Sequence, residues 1–569
     1  MSIGSVLNIA RSGLDASQTA IQTVSHNVAN VNTPGYSEQK AVLVEAEPTP
    51  SSVGLLGNGV SIQQIKSYFD QNLQDAITSK NSDVQEQQVY EQYLTQIQSV
   101  FNEDNSNLST NITKFFNDWS TLSTDPTSTS DKQTVASDGK TLCTTFNTMY
   151  SNLTSLQSAL NGEVSTQISD INGITSQIAS LNQLISQSGG GTSQANDYID
   201  QRNQLLQQLS GYMNISYFTD GSTNMVTVLT SKGSNLVDGA VSYQLTGNQD
   251  SSNGMTGVSW QGPSGETADV TSQITGGSLG AVIATRDNTI PGYLGKLNAL
   301  AQSIVQSVNY FHGQGNDNAG VPFFQTSNTS DYAQGISLAS QIEDASGTVQ
   351  TQNIMASSSS ADTTNNDVAA RIASLANEAV LGDATISSTT FGSETSALDL
   401  TGSIVVNGTA VAVASTDSLS QIADDISGSN AGVSASVVQA AGGYKLVLTA
   451  QGGAQNISVV DGSLSTPSTG TPSLTQTLGL TGSTWVNYEA GVVAGVGQAT
   501  TSATDLATYN QNALTSLQQQ QSQESGVSID EEMSNLIMYQ NAYQASARLY
   551  TVAQAMVNSL LQSVGVTTQ

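Results

Sequence analysis

The sequence predicts a multidomain α+β protein: N- and C-terminal helices forming an α-helical coiled coil, a largely helical second domain, and outer β-rich domains. Three observations support this prediction. Apolar residues recur every seven positions at both ends of the chain, and they recur at helical spacing across 67–212. Short apolar runs separated by Asp-Gly and Asn-Gly turns fill 215–283 and 404–450. The 569 residues suffice for about four domains.

The N-terminal helix is predicted from a heptad repeat, softened by Gly13. The first seam position is filled by Leu7, Leu14, Ile21 and Val28, and the second by Ala10, Ser17, Val24 and Val31. This is the spacing of a coiled-coil seam, with one polar departure at Ser17. Because a single helix cannot bury such a stripe, the seam needs a partner helix.

A rigid elbow is predicted at 29–36, directly after this helix. Pro34 lacks a backbone donor and biases Thr33 away from helical conformation. Pro34 and Gly35 suit the two central positions of a type II turn, where glycine takes a positive φ. The candidate site residues at the elbow are Asn30, Asn32, Pro34, Gly35 and Tyr36.

The C-terminal helix carries a matching stripe. Its first seam position holds Ile529, Leu536, Tyr543, Tyr550, Val557 and Val564, and its second holds Tyr539, Ala553 and Leu560. Glu532 and Ser546 depart from the second position. Ser528 and Glu531 fit a capping box, and acids in the first turn suit the helix dipole. We predict that Leu14, Ile21, Val24 and Val28 pack against Leu536, Tyr543, Tyr550 and Val557.

Composition excludes several classes of partner. Lys plus Arg number 14 against 45 Asp plus Glu, a net charge of −31, and the basic residues are scattered. Nucleic acid and anionic membrane are therefore not expected as partners. The sequence has no apolar run of about 18 residues, so no membrane span is predicted, and no standard signal peptide is visible. Cys143, the single cysteine, is expected to be a buried, inert thiol.

No catalytic, cofactor or metal site is predicted. His26 and His312 lack the paired spacing of a zinc site, so a surface or capping role is expected for both. The glycines at 189–191 lack the Lys-Ser/Thr of a phosphate loop and are interpreted as a hinge. Segment 315–320 lacks the full ligand series of a calcium loop and is interpreted as a turn. We expect a protein that is not an enzyme and holds no cofactor.

Segment 25–37, SHNVANVNTPGYS, resembles the N-terminal signature of the bacterial flagellar rod, hook and hook-associated proteins. Segments 526–533 and 539–548 are similar to the C-terminal half of that signature. Two internal segments, 195–206 and 309–324, favour a hook-associated protein of the hook–filament junction. The resemblance is strong over both termini and the helical third, and weak over the middle.

The resemblance implies a structural protein that self-assembles axially through its paired terminal helices. The implied partners are hook protein, a second hook–filament junction protein, further copies of the chain, and an export chaperone at the C-terminal helix. The implied location is the flagellum outside the cell, reached through the flagellar type III export apparatus without cleavage.

Seven regions are expected along the chain. They are a coiled-coil helix and elbow (1–36), a mainly helical domain (37–212), a β-rich domain (213–290), a helical and β return segment (291–385), a β-rich insertion (386–483), a helical return (484–526) and a C-terminal coiled-coil helix (527–569). The insertion has a ββαββ pattern, which resembles the small insertion motif of flagellins and hook-associated proteins.

Three alternatives stay open from the sequence. The nearest is another axial paralogue, such as a hook or rod protein. A second is a secreted cell-wall hydrolase or protease with axial targeting ends, which would need a catalytic pair within 215–324. The third is an adhesin, for which the β-rich insertion is the only support.

Overall fold

The computed structural model describes residues 3–51, 54–102, 107–250, 254–328, 330–452, 456–464, 473–480 and 482–563. In these ranges the helices are α1 (Ile3–Asn30), α2 (Gln71–Asn102), α3 (Leu108–Thr124), α4 (Thr129–Ser188), α5 (Ser193–Tyr212), α6 (Gly277–Ala284), α7 (Ile290–Gly313), α8 (Gly315–Asn318), α9 (Tyr332–Gly335), α10 (Asp367–Ser374), α11 (Leu419–Gly428), α12 (Leu474–Leu478), α13 (Trp485–Ser525) and α14 (Ile529–Ser563). Short 3₁₀ turns lie at Thr271–Gln273, Thr351–Asn353 and Leu375–Asn377, and a π-turn at Thr285–Thr289.

The strands in the same ranges form small antiparallel sheets. They are β1 (Gln39–Glu45), β2 (Thr49–Ser51), β3 (Gly54–Leu56), β4 (Val60–Ser67), β5 (Ile215–Thr219), β6 (Val226–Thr230), β7 (Asn235–Asp238), β8 (Val241–Ser242), β9 (Gln244–Gln249), β10 (Thr256–Gln261), β11 (Thr267–Asp269), β12 (Phe324–Thr326), β13 (Ile336–Leu338), β14 (Leu381–Asp383), β15 (Thr385–Ser387), β16 (Gly402–Val406), β17 (Thr409–Val413), β18 (Val433–Ala440), β19 (Gly443–Ala450) and β20 (Asn456–Asp461). The predicted α+β class, with long terminal helices and β-rich regions between them, is confirmed.

The chain divides into two compact units. Unit 1 comprises Met1–Glu91, Asn161–Ile283 and Ala503–Gln569, and unit 2 comprises Gln92–Leu160 and Ala284–Ser502. In unit 1, α1 packs against α14 and against the β1–β4 pair. Two further sheets of unit 1 have the strand orders β5-β6-β7-β8 and β11-β10-β9.

The break between α4 and α5 lies at the predicted hinge. Gly189 and Gly191 both have positive φ, 70° and 81°, a conformation that glycine adopts without steric cost. Thr192 then caps α5, because its side chain accepts a hydrogen bond from the backbone N–H of Ala195. This cap fixes where α5 begins, and α5 carries residues that contact the elbow.

Unit 2 has an aromatic core around α3. Phe116 stacks on Trp485 with ring centroids 4.9 Å apart, and Phe115 and Trp119 lie 5.6 Å and 5.5 Å from Phe323. All five rings are buried. The predicted inert thiol at Cys143 is also buried, and burial raises its pKa.

His312 lies in this core, so the expected surface or capping role is wrong for this residue. Its ring is wholly buried, and Nδ1 lies 2.7 Å from the carbonyl oxygen of Val321. Nε2 accepts a hydrogen bond of 3.0 Å from the backbone N–H of Met355. Nδ1 therefore carries the proton, the ring is neutral, and burial lowers its pKa to about 4.

Acidification should weaken unit 2 through His312. Because the folded pKa is below the usual 6.5, the unfolded chain takes up the proton first as the pH drops. The free energy of unfolding keeps its full value above pH 6.5 and falls between pH 6.5 and about 4, by about 1.4 kcal/mol per pH unit at most. His312→Phe should remove this dependence and cost about 1–3 kcal/mol at neutral pH, since it leaves two backbone groups unpaired. Hydrogen exchange of α3 between pH 4.5 and 7 measures both effects, with His26→Phe as control. An unchanged pH profile in His312→Phe would contradict the assignment.

The β-rich insertion folds as its sequence predicts. β16 and β17 form a hairpin around Asn407 and Gly408, whose φ values of 47° and 77° suit a type I′ turn. Ser418 and Gln421 form the predicted capping box at the start of α11. β18 and β19 pair as the second hairpin, and α11 packs on both sheets over a buried apolar core.

The insertion is closed at its base. The backbones of Leu381 and Ser483 exchange two hydrogen bonds, of 3.1 Å and 2.7 Å. β20, the last strand, pairs with β14, which lies just before the predicted start of the insertion, and with β16. The chain therefore enters and leaves the insertion at one place.

Candidate assembly interface

The contact face of α1 is lined by small residues. Those less than a tenth exposed are Ala10, Ala16, Ser17, Ala20, Thr23, Val24 and Asn27. Leu7, Leu14, Ile21 and Val28, the predicted first seam position, are only partly buried, whereas Ala10, Ser17 and Val24 of the predicted second position are buried. Small side chains at the centre allow a neighbouring helix to approach closely, and the larger aliphatic ones then cover its flanks.

On α14, the buried and partly buried residues follow the predicted heptad and include its two polar departures, Glu532 and Ser546. Glu532 and Ala553 are 2% and 1% exposed, and the partly buried seam residues are Leu536, Tyr539, Ser546, Tyr550 and Val557. Ile529, Tyr543 and Leu560 are 51%, 40% and 51% exposed, so they are not buried in this pairing. Val564 lies outside the described residues.

The elbow has the predicted turn. The N–H of Tyr36 donates to the carbonyl of Thr33 at 3.2 Å, and Gly35 has a φ of 73°. The side-chain amide of Gln204 donates to the carbonyl of Pro34, and a Cβ on Gly35 would collide with that same side chain. Asn32, Pro34 and Gly35 are exposed, and Asn30 and Tyr36 are partly buried.

Two motifs that are remote in sequence meet at this elbow. Asp200 of α5 accepts hydrogen bonds from the backbone N–H and the hydroxyl of Ser37, both at 2.9 Å. Asp197 accepts one of 2.8 Å from the Gln39 side chain and lies 3.1 Å from Nε2 of His26. Segments 25–37 and 195–206 were each recognised separately, and the fold joins them into one contact.

Asn27 is the centre of the elbow's hydrogen-bond network. This fully buried amide accepts from the Tyr36 hydroxyl at 2.7 Å and from the Gln39 N–H at 3.1 Å. It donates to the Gln39 carbonyl at 2.8 Å, and it lies beside the buried side chain of Glu532 on α14. The elbow, β1 and α14 are therefore tied to one side chain of α1.

Burial perturbs the acids of this network. It raises the pKa of Asp200 to about 7, although the two hydrogen bonds from Ser37 act in the opposite direction. It also raises the pKa of Glu532 and of the Tyr36 hydroxyl. The site is thus a group of partly desolvated carboxyls held by polar contacts.

The geometry does not form a nucleophilic triad. His26 is paired with Asp197, but the hydroxyl of Ser37 donates to Asp200 instead of His26. Within the described residues, no group of three or more His, Cys, Asp or Glu is placed to hold a metal. In the same ranges, no helix has the length and apolar character needed to cross a membrane. The contacts around the elbow position backbone segments.

A second apolar stripe on α14 was missed by the sequence reasoning. Its members alternate at spacings of four and three and are all exposed: Met538, Ala542, Ala545, Leu549, Val552 and Met556. Met538, Val552 and Met556 are 52%, 57% and 53% exposed. The signal was present as a second heptad series beside the first, and a helix with two such stripes can contact two partners.

Family models cover both termini, the helical region and the insertion. Residues 94–324 match the flagellar hook-associated protein FlgK helical domain, and 7–36 match the flagella basal body rod protein. Residues 518–563 match the C-terminal domain of the flagellar basal body rod FlgEFG proteins, and 399–452 match the flagellin hook IN motif. The last match coincides with the predicted insertion motif.

Several curated proteins that match this chain over almost its whole length share the same name. Flagellar hook-associated protein 1 of Salmonella typhimurium is 26% identical, covering 98% of this chain and 100% of its own. The proteins of that name from Escherichia coli and Bacillus subtilis are each 25% identical over 98% of this chain, and 100% and 98% of their own lengths are covered.

A solved structure, the flagellar hook junction protein FlgK from Burkholderia pseudomallei, aligns with a TM-score of 0.49 at 17% identity, over 80% of this chain and 100% of that chain. The full-length relatives and the family models agree with the terminal signatures. The chain is therefore homologous over nearly its full length to flagellar hook-associated protein 1, and it is a structural component of the bacterial flagellum.

Proposed function

We propose that the chain forms the junction between hook and filament, as a layer of copies held together by the paired terminal helices. The relatives' hook-associated name and the terminal signatures support this location. In this proposal, 1–36 and 527–569 form the assembly region and 37–526 forms the outward body. The role is mechanical, and no chemistry is required of the chain.

The observation that carries the proposal is the second stripe of α14. Pairing with α1 covers one face of α14, and Met538, Leu549, Val552 and Met556 remain 42–57% exposed on another. Contiguous exposed apolar surface of this kind marks an interaction site. A helix of a neighbouring copy at the junction would bury it.

The proposed partners are those that the family resemblance implies. We propose that hook protein contacts one side of the layer and a second hook–filament junction protein the other. Before assembly, the apolar faces of α14 need a cover in solution, and an export chaperone at this helix would supply it. The proposed route is export through the flagellar type III apparatus, ending outside the cell.

The test compares two carboxylate substitutions on α14. Val552→Asp should reduce co-sedimentation with purified hook fragments by more than tenfold, because assembly would bury an unpaired charge. Gln554→Asp changes a nearby polar, exposed residue and should bind like the parent chain. Circular dichroism should show equal helix content in both free variants. Equal binding of the two would overturn the proposal.

A second measurement addresses the terminal helices directly. Hydrogen exchange at α1 and α14 should slow when hook fragments are added, because neighbouring copies cover these helices. Exchange that is already slow in the free chain and unchanged by hook fragments would make them ordinary core helices and contradict assembly through them.

A further inference from the structure

We propose that two close contacts fix the register in which α1 and α14 pair. The first is between the buried polar side chains of Asn27 and Glu532, and the second packs Gly13 against Ser546. This inference concerns pairing within one chain, so it stands apart from the proposed assembly between chains. It gives a role to the two residues of α14 that depart from the heptad pattern.

The two contacts share one antiparallel register. Gly13 lies two heptads before Asn27 on α1, and Ser546 lies two heptads after Glu532 on α14. The two contacts therefore belong to the same alignment of two antiparallel helices. Both contacts are tight, since Asn27 and Glu532 are 0% and 2% exposed. A Cβ on Gly13 would lie 2.7 Å from Oγ of Ser546.

The apolar residues alone leave the register open. Both helices repeat similar apolar side chains every seven residues, so a slip of one heptad, about 10 Å, again faces apolar residues with apolar residues. The centre of the α1 face is lined mainly by alanine, serine and threonine, which fit several partners. Apolar packing therefore discriminates poorly between neighbouring registers.

The contact between Asn27 and Glu532 does discriminate between these registers. A slip in one direction places Glu532 opposite Ala20, which offers no side-chain donor, and in the other direction beyond Asn30, where α1 ends. Oε2 of Glu532 is already buried without a hydrogen-bond partner, so moving this carboxylate away from the polar side chain of Asn27 and beside alanine would raise the cost of burying it. A single buried polar pair that specifies register is a known property of coiled coils.

Disulfide trapping tests the register in a Cys143→Ala background. Val6→Cys with Ala553→Cys, each one heptad from the Gly13–Ser546 contact, reports the observed register. Val6→Cys with Ser546→Cys or Leu560→Cys reports the two slips. With Asn27 and Glu532 present, only the first pair should cross-link. In Asn27→Leu/Glu532→Leu, the slipped pairs should rise to at least a tenth of the product.

Two controls keep the test decisive. Glu531→Leu removes a neighbouring exposed acid and should keep the single register, and so should the isosteric Glu532→Gln. A single register in Asn27→Leu/Glu532→Leu would overturn the proposal and assign the register to the chain connections at 31–38 and 526–528. Should the double variant fail to fold, slipped cross-links in Asn27→Ala decide, and their absence there counts equally against the proposal.

Discussion

Replacing Arg371 with methionine should destabilise unit 2 by about 3–5 kcal/mol, the cost of removing one partner from a buried ion pair. Arg371 is 1% exposed and pairs with Glu378. Its guanidinium also donates to the carbonyls of Asp461 at 2.7 Å and Ser463 at 2.8 Å, and it lies 4.5 Å from the ring of Phe311. Methionine fills a similar volume but leaves the carboxylate and both carbonyls without this donor.

The measurement is denaturant unfolding followed by hydrogen exchange of α7 and α10. Arg11→Met is the matched control, since that side chain is 77% exposed and its ion pair with Asp15 spans 3.8 Å. We expect the control to change stability by less than about 0.5 kcal/mol. If Arg371→Met behaved like Arg11→Met, the guanidinium would not hold α10 to the end of β20.

Raising the pH from about 4 to 7 should weaken the elbow through Asp200. The folded pKa, about 7, is above the usual value for aspartate, so the folded chain binds the proton more tightly than the unfolded chain. The stability of unit 1 should therefore fall as the pH rises from about 4 to 7, by at most about 1.4 kcal/mol per pH unit from this group. Asp200→Asn should remove that contribution and cost about 1 kcal/mol, because its amide can accept from only one of the two Ser37 donors.

Hydrogen exchange of β1 and α5 between pH 4.5 and 8 measures this dependence. Asp15→Asn, which changes a carboxylate 71% exposed on α1, should keep the slope of the parent chain. Glu532 and Glu38 also have raised pKa values, so the parent slope contains their contributions, and the difference between parent and Asp200→Asn isolates Asp200. Parallel profiles would mean that Asp200 stays ionised throughout.

The terminal helices show what heptad spacing can and cannot predict. It located both helices and the residues that share a stripe, because a repeat of seven is visible in one chain. Which of two adjacent columns is more deeply buried depends on the neighbouring elements. Ala10, Ser17 and Val24 of the predicted second seam position are buried, whereas Leu14 and Ile21 of the first are only partly buried. The second α14 stripe was missed because only one partner was considered.

Buried polar residues were the least predictable from sequence. His312 was expected at the surface because its partners, Val321 and Met355, are backbone groups outside its helix. Asp200 lay within a recognised motif, yet its contact with Ser37 depends on how α5 packs beside the elbow. Local signals performed better: the Asn407-Gly408 turn and the Ser418 capping box depend only on neighbouring residues, and both were predicted correctly.

The closed base of the insertion has a consequence for evolution and engineering. Because Leu381 and Ser483 are hydrogen-bonded neighbours, about 5.5 Å apart at Cα in such a pair, loops within the segment between them can lengthen or shorten while its two ends stay together. β20 and the residues after it must keep their place, since the carbonyls of Asp461 and Ser463 bind Arg371 of α10. The insertion can thus diversify in its loops while the strand that contacts α10 is retained.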